Sequence, residues 1–471
     1  MHSATVPRCT PHAWCWCANH VHIFCCSRSA YSPPQELRWS AGSRSYNFQQ
    51  TIQWCDDKAT GTIFRYQTNN ADPLTCGQQL SPLIRVKPGK AYRLILKNVA
   101  FGPASTAQTN IHIHGSHISG DGNADNPLRF VEPGFQIAYN WTIPEDHHGG
   151  TIWYHPHFHP IVDPQLAGGG LGMLIVDDPQ YVVRSMSADF KQFATSTANE
   201  ILLLFHQQIN QIACNGHSSA DPETVDIISG QWYRVRIANG DPEATVRDIT
   251  FGQVAGNNLC EVRAVAFDGV WRSTVPGPAQ TTFRLTGASR IDLALKCTKP
   301  NGYSGQGRSS YVLDLNFKDG TANNASPWGG DSGTRWTPPR PTSGYLDDLT
   351  AATGVNPYTI SMSAVQINGA TWDPANINFL ETFQYGDVQE WTLSGTTGHP
   401  VHTHIWHWQV RMLAVHHMHY GEWYDTVSYT PGCKVRFRMV GGGQTQLVHC
   451  HILGHEDKGA MVIFKESSGM S

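Results

Sequence analysis

The 471-residue chain has no run of about 18 apolar residues, the length a membrane-spanning helix needs, so a membrane span is not expected. Charge is also sparse. Only 15% of residues are charged and the formal net charge is −4. A basic face able to hold a phosphate backbone is missing, and nucleic acid is not an expected partner. Long helix-period patterns are scarce, which turns the reading toward strands. The first residues lack the basic start and unbroken apolar stretch of a secretory signal, because Arg8, Pro11, Asn19 and His20 interrupt it. Cys9, Cys15, Cys17, Cys25 and Cys26 follow no zinc spacing, and residues 1–36 read as an irregular segment.

Forty per cent of residues are hydrophobic, enough to bury cores, and at roughly 150 residues per domain the length suits three. Short alternating segments bounded by Gly, Pro, Asn and Asp recur, among them Leu83 to Asn98, Thr151 to Tyr154, Trp232 to Asn239 and Tyr311 to Phe317. They predict an all-β fold. Gly89-Lys-Ala-Tyr-Arg-Leu-Ile-Leu-Lys-Asn98 resembles Gly230-Gln-Trp-Tyr-Arg-Val-Arg-Ile-Ala-Asn239, and Gly386-Asp-Val-Gln-Glu-Trp-Thr-Leu is a weaker third copy. Three copies at domain spacing predict three similar β-sandwiches, over 37–180, 181–320 and 345–471. The Gly/Ser/Pro-rich stretch 321–344 reads as a linker. Cys55, Cys76, Cys214, Cys260, Cys297 and Cys433 are scattered through the body, and the sequons at Asn140 and Asn324 accompany them. Both features fit a few disulfides and an oxidising compartment.

Twenty-four histidines are the unusual feature, and their placement matters more than their number. Four His-x-His pairs stand out: His112/His114, His155/His157, His402/His404 and His449/His451. On a strand, residues two apart share a face, so each pair offers two imidazoles side by side. One such pair is weak evidence, since paired histidines are more often solvated or hydrogen-bonded. Eight imidazoles in one space cost too much desolvation unless a metal or many hydrogen bonds satisfy them. In the fourth pair Cys450 points away from both neighbours, so a metal on the cysteine is joined covalently to metals behind it. Cys450 with His399 and His455 makes a His₂Cys set, the ligands of a blue-copper site. Zinc, the bland reading of a Cys/His set, leaves that wiring unexplained.

The stretches Ile111-His-Ile-His-Gly115, Trp153-Tyr-His-Pro-His-Phe158, His399-Pro-Val-His-Thr-His404 and His449-Cys-His-Ile-Leu-Gly-His-Glu-Asp457 resemble, in residues, order and spacing, the four copper motifs of the multicopper oxidases. The resemblance runs from about Arg38 onward and is nearer to bacterial, spore-coat-type members than to fungal phenol laccases. It implies three cupredoxin-like Greek-key domains and four coppers per chain. Cys450, His399 and His455 would hold the type 1 copper; His112 and His402 the type 2 copper. His114, His155 and His451 would hold one type 3 copper, and His157, His404 and His449 the other. Small reducing molecules (phenols, aromatic amines or metal ions) would give single electrons at the first site, and dioxygen would be reduced to water at the other three. Catalysis would pass through Cys450, His449 and His451, with Glu456 as a proton relay. The resemblance further implies a monomer, secreted, periplasmic or on the cell surface, whose middle domain is a spacer and cleft wall.

The axial position, five residues after His455, is Ala460, which cannot ligate, while Met461 follows one step later. Either the type 1 copper has no protein axial ligand or a bulge brings Met461 to it. Asp121 and Asp125 read as turn carboxylates. His117, His147, His148 and His159 read as supporting or surface residues, and His416-His-Met-His419 as a loop cluster toward the type 1 side. Trp423-Tyr-Asp425-Thr reads as structural. No methionine-rich insertion supports a cuprous oxidase. Competing readings are a copper-sequestering protein, a copper nitrite reductase, and a metal-free cupredoxin scaffold. His451 and the three domain-sized units argue against the second, and the complete ligand set against the third.

Overall fold

The computed structural model describes residues 20–24, 33–43, 45–57, 63–72, 76, 80–208, 211–218, 222–254, 257–299, 313–323, 326–328, 335–375, 377, 379–412, 418–441, 443 and 445–467. The cysteines of the first 26 residues, His416, His417 and Asn324 lie outside them.

The chain is all-β, with its sheets arranged in successive cupredoxin-like pairs. In the first unit a five-stranded sheet that includes Phe48–Asp56, Lys90–Asn98 and Gln136–Ile143 faces a four-stranded sheet. The latter contains Ile84–Val86, Gly172–Val176, Gly150–His155 and His112–His114. Trp54, Tyr92, Leu94, Ile113, Ile152 and Leu174 from both sheets fill the space between. The middle unit sets a seven-stranded sheet against a five-stranded one, and the third sets two five-stranded sheets face to face.

The sequence repeat has a structural meaning. Its three copies form Lys90–Asn98, Trp232–Asn239 and Val388–Gly395. Each runs parallel to one long strand of its unit and antiparallel to another: Gln136–Ile143, Arg290–Cys297 and Cys433–Arg438 respectively. Alternation along Lys90–Asn98 buries Tyr92, Leu94 and Leu96 and leaves the residues between them less covered, the period of a strand with one core face.

Two segments differ from their sequence reading. His20–Phe24, inside the stretch expected to be irregular, is a strand paired in parallel between Arg247–Phe251 and Leu313–Lys318 of the middle unit. Within the expected linker, Trp328 packs on Trp232 and Phe193, and Trp336 on Phe190 and Trp271. These two rings tie the stretch to the middle unit; the Gly/Ser/Pro content hid them. Cys55–Cys76 and Cys260–Cys297 are disulfides, the second across directly paired strands. No helix of the described residues is long and apolar enough to cross a membrane.

Candidate metal centres

The first unit brings its histidines together through one strand pair. His112–His114 runs antiparallel to Gly150–His155, with His112 opposite His155 and His114 opposite Trp153. Directly opposed residues share a face, so His112, His114, Trp153 and His155 lie on one side. Pro156 has no N–H for the ladder and the strand stops at His155. His157 follows, held by its backbone N–H donating to Asn110 Oδ1 at 2.5 Å.

The third unit does the same with Pro400–Thr403 and Gln446–Cys450, where His402 opposes His449 and Val401 opposes Cys450. His404 and His451 lie just past the strand ends. The backbone N–H of His404 donates to Leu447 O at 2.9 Å and that of His451 to Pro400 O at 2.8 Å. Only the first pair therefore sits wholly within a strand; the other three straddle strand ends, and single backbone hydrogen bonds or an asparagine carry the facing arrangement across.

All eight imidazoles meet in one buried space between the first and third units. His112 stacks on His404 at 3.9 Å and His114 on His402 at 3.6 Å between ring centroids. His449 Nε2 lies 3.3 Å from His157 Nε2 and 3.2 Å from His404 Nε2. The His451 ring is 5.1 Å from His114 and 5.6 Å from His155. Three-residue sets whose ligand atoms converge include His157 with His404 and His449, His112 with His402 and His404, and His112 with His114 and His155. Burial, more than the neighbouring rings, pushes their pKa values far below the ordinary histidine value, to about 4 for His402 and His449 and about 3 for His157. The rings are thus neutral, the form in which imidazole binds metal. His112 Nε2, His114 Nδ1, His155 Nε2, His402 Nε2 and both nitrogens of His451 are buried without a hydrogen-bond partner. Such a concentration of orphaned lone pairs fits a metal cluster.

Cys450 serves a second group on the far side of its strand. Its Sγ lies 3.7 Å from Nδ1 of both His399 and His455. Burial raises the thiol to about 12, so without a cation it stays protonated; a bound metal would deprotonate it. His399 is nearly buried and His455 is partly exposed, so this group opens to the surface through an imidazole edge. Ala460 O accepts from Cys450 N at 3.0 Å and Ala460 packs in the same core as Cys450. Met461 pairs with His449 instead and packs among Trp372, Leu447 and Ile463. The strand register puts Met461 on the face away from the sulfur, with no bulge between them.

Multicopper oxidase family profiles match the chain twice, over residues 62–181 and 341–470, which together span more than half of it. The chain belongs to the multicopper oxidase family. It is therefore a copper-dependent oxidoreductase that uses dioxygen. A multicopper oxidase of Staphylococcus haemolyticus is 23% identical over 415 residues, covering 82% of this chain and 81% of that one. Laccase-2 of Thanatephorus cucumeris is 24% identical over 58% of this chain and 47% of its own. Among solved structures, a laccase of Pediococcus acidilactici superposes with a TM-score of 0.69 at 18% identity, covering 96% of both chains. The McoA multicopper oxidase of Aquifex aeolicus, in its 2F4 variant, gives 0.68 at 21% identity over 94% of this chain and 100% of that one. Both share the cupredoxin fold seen here.

In this multicopper oxidase the cluster is framed by three carboxylates: Glu456, expected as a proton relay, and Asp125 and Asp425, which sequence reasoning undervalued. Asp125, read as a turn residue, is buried; its Oδ2 accepts from His112 Nδ1 at 2.9 Å and its Oδ1 from Ile113 N at 2.9 Å. Burial raises it to about 8. Glu456 is fully buried, 3.0 Å from His449 Nδ1 and 3.4 Å from His157 Nδ1, and burial lifts it to about 7. Asp425, read as structural, touches two of the imidazoles: Oδ1 lies 3.3 Å from His114 Nε2, and its carbonyl accepts from His402 Nδ1 at 2.9 Å.

The remaining histidines are mostly interior. His117 stacks on Tyr345 at 3.6 Å, His148 Nδ1 hydrogen-bonds the Tyr345 hydroxyl at 2.8 Å, and His147 is buried beside them. Of His117, His147, His148 and His159, His159 alone keeps some exposure. His419 stacks on Phe267 of the middle unit at 5.1 Å, and Met418 is buried in the core; no ring contact or hydrogen bond of the described residues joins them to His399 or His455. The rest of the loop cluster expected toward the type 1 side, His416 and His417, lies outside the described residues.

Proposed function

We propose that the oxidase takes single electrons from small reducing molecules such as phenols, aromatic amines or low-valent metal ions at the His399/Cys450/His455 group. Dioxygen is reduced to two waters, with four electrons and four protons, at the eight-histidine cluster. The ligands are those of the motif reading: Cys450, His399 and His455 for type 1; His112 and His402 for type 2; His114, His155, His451 and His157, His404, His449 for the type 3 pair. Bound copper supplies one-electron redox chemistry and the means of binding dioxygen.

The protein's own part is positioning and exclusion. Neutral, buried imidazoles present lone pairs without a competing proton. Cys450 is bonded through its backbone to His449 and His451, so the electron entry group and the cluster share one strand. The partly exposed His455 gives a donor contact without opening the buried cluster to bulk solvent. Glu456, close to two of the imidazoles and with a pKa near neutrality, is suited to hold and release a proton. The units 37–180, 181–320 and 345–471 are taken as the domains, joined by 321–344. The molecule is taken as a monomer working outside the cytoplasm.

One observation carries this reading: Cys450 Sγ sits 3.7 Å from two imidazoles while its chain neighbours enter the cluster behind it. The test is a copper count with visible and EPR spectra on copper-loaded protein. Four coppers per chain, an intense thiolate band and a near-ultraviolet shoulder from the paired coppers are expected. One copper or none, with no blue colour, would refute the proposal.

A further inference from the structure

We infer that Arg290 is a positioning residue for the imidazole cluster. Through Asp425 it fixes the rings of His114 and His402, so the middle unit governs a site to which it gives no ligand. The inference rests on the ligand assignment proposed above.

Arg290 begins the middle unit's strand Arg290–Cys297. Its side chain is wholly buried and crosses toward both neighbouring units. Nη1 donates to Asp425 Oδ1 at 2.7 Å and Nη2 to Asp425 Oδ2, a two-pronged grip on a carboxylate of the third unit. Nε donates to Thr151 O of the first unit at 3.3 Å, and the backbone N–H of Arg290 to Asp268 Oδ1 at 2.7 Å. Asp268 Oδ2 in turn accepts from Asp425 N at 3.1 Å. Asp425 is thus held at its backbone and at both oxygens. Asp425 then meets the cluster at two points. Oδ1 lies 3.3 Å from His114 Nε2, and the Thr426 hydroxyl that donates to the same Oδ1 at 2.9 Å lies 3.2 Å from both His114 Nε2 and His402 Nδ1.

Holding Nε2 of His114 and Nδ1 of His402 leaves His114 Nδ1 and His402 Nε2 as the ligand atoms, and those two are the orphans. The choice of ligating nitrogen on one ring from each flanking unit is therefore set by an arginine from the unit between them. A planar fork makes this grip; an ammonium cannot reproduce it.

Arg290→Gln and Arg290→Lys in the full, copper-loaded chain test the role, with wild-type protein loaded in parallel. If the wild type holds no cluster copper, the ligand assignment falls and this inference with it. With an intact wild type, both variants are expected to keep the thiolate band, because no described hydrogen bond joins the Arg290 network to Cys450, His399 or His455. They should retain cluster copper about 10- to 100-fold more weakly and shift the type 2 EPR parameters, with Lys the milder of the two. Unchanged cluster affinity and EPR parameters in both variants would overturn the inference, whatever happens to the melting temperature. So would loss of the thiolate band in proportion to cluster copper, which marks a general structural role. If Arg290→Gln does not fold, Arg290→Lys decides on the same readouts.

Discussion

Replacing Glu456 by glutamine should change how stability depends on pH. The carboxyl is fully buried, and burial raises it from 4.5 to about 7 against the opposing pull of His157. An unfolded chain gives up this proton near 4.5, whereas the folded chain keeps it until about 7. Between those values the folded state binds more protons than the unfolded one, so stability falls as pH rises. Each pH unit in that interval removes about 1.4 kcal/mol, a total of about 3 kcal/mol by the time pH passes 7. Glutamine cannot ionise and escapes the loss. Urea unfolding of copper-free wild type and Glu456→Gln at pH 5 and pH 8 isolates the effect, since any packing difference is common to both conditions. Copper is left out because a bound cation would itself pull the carboxyl down. The variant should gain about 3 kcal/mol on the wild type between the two conditions. A stability difference independent of pH would refute the reasoning and place the Glu456 pKa near its ordinary value.

Two further outcomes follow from the packing. Met461→Leu should leave the reduction potential of the type 1 copper unchanged in a redox titration, because Met461 packs among Trp372, Leu447 and Ile463 on the far face of its strand; a shifted potential would mean that the sulfur reaches the metal. Asp292→Asn should cost about 3–5 kcal/mol in chemical denaturation, since Asp292 Oδ2 accepts from Arg234 and Arg236, both buried, and the change leaves two guanidinium groups short of charge. A loss under 1 kcal/mol would show that Asp178 and Glu200 suffice as partners for the two arginines.

The histidine pairs were legible because chemistry and local geometry coincide in them. A His-x-His spelling is short enough that spacing reports a shared face, and four spellings in one chain outweigh chance. The strand ends were less legible. His157, His404 and His451 leave their ladders, and what keeps them facing inward is a contact from Asn110, Leu447 or Pro400, remote in sequence. Asp425 and Arg290 were illegible for the same reason on a larger scale. Each looks like an ordinary strand residue until the docking of three units sets them 2.7 Å apart across 135 positions of chain. Asp125 failed differently: its Gly/Asn/Asp-rich surroundings spell a turn correctly, but nothing in them tells that the turn is roofed over. Trp328 and Trp336 show the converse, where a composition typical of linkers conceals two anchoring rings.

The arginine grip also reaches back into the first motif. Gly115 has φ +96, and a Cβ built on it would lie 2.0 Å from Arg290 Nη2. The glycine that closes the His-Ile-His-Gly spelling is thus dictated as much by an arginine side chain lying over it as by its own turn. Positions 115 and 290 cannot drift independently over evolution. Any side chain at 115 first requires a shorter residue at 290, and that loss would loosen Asp425 before the new side chain gained anything. The two changes are blocked in either order, so what reads as a copper motif of one unit is in part the imprint of its neighbour.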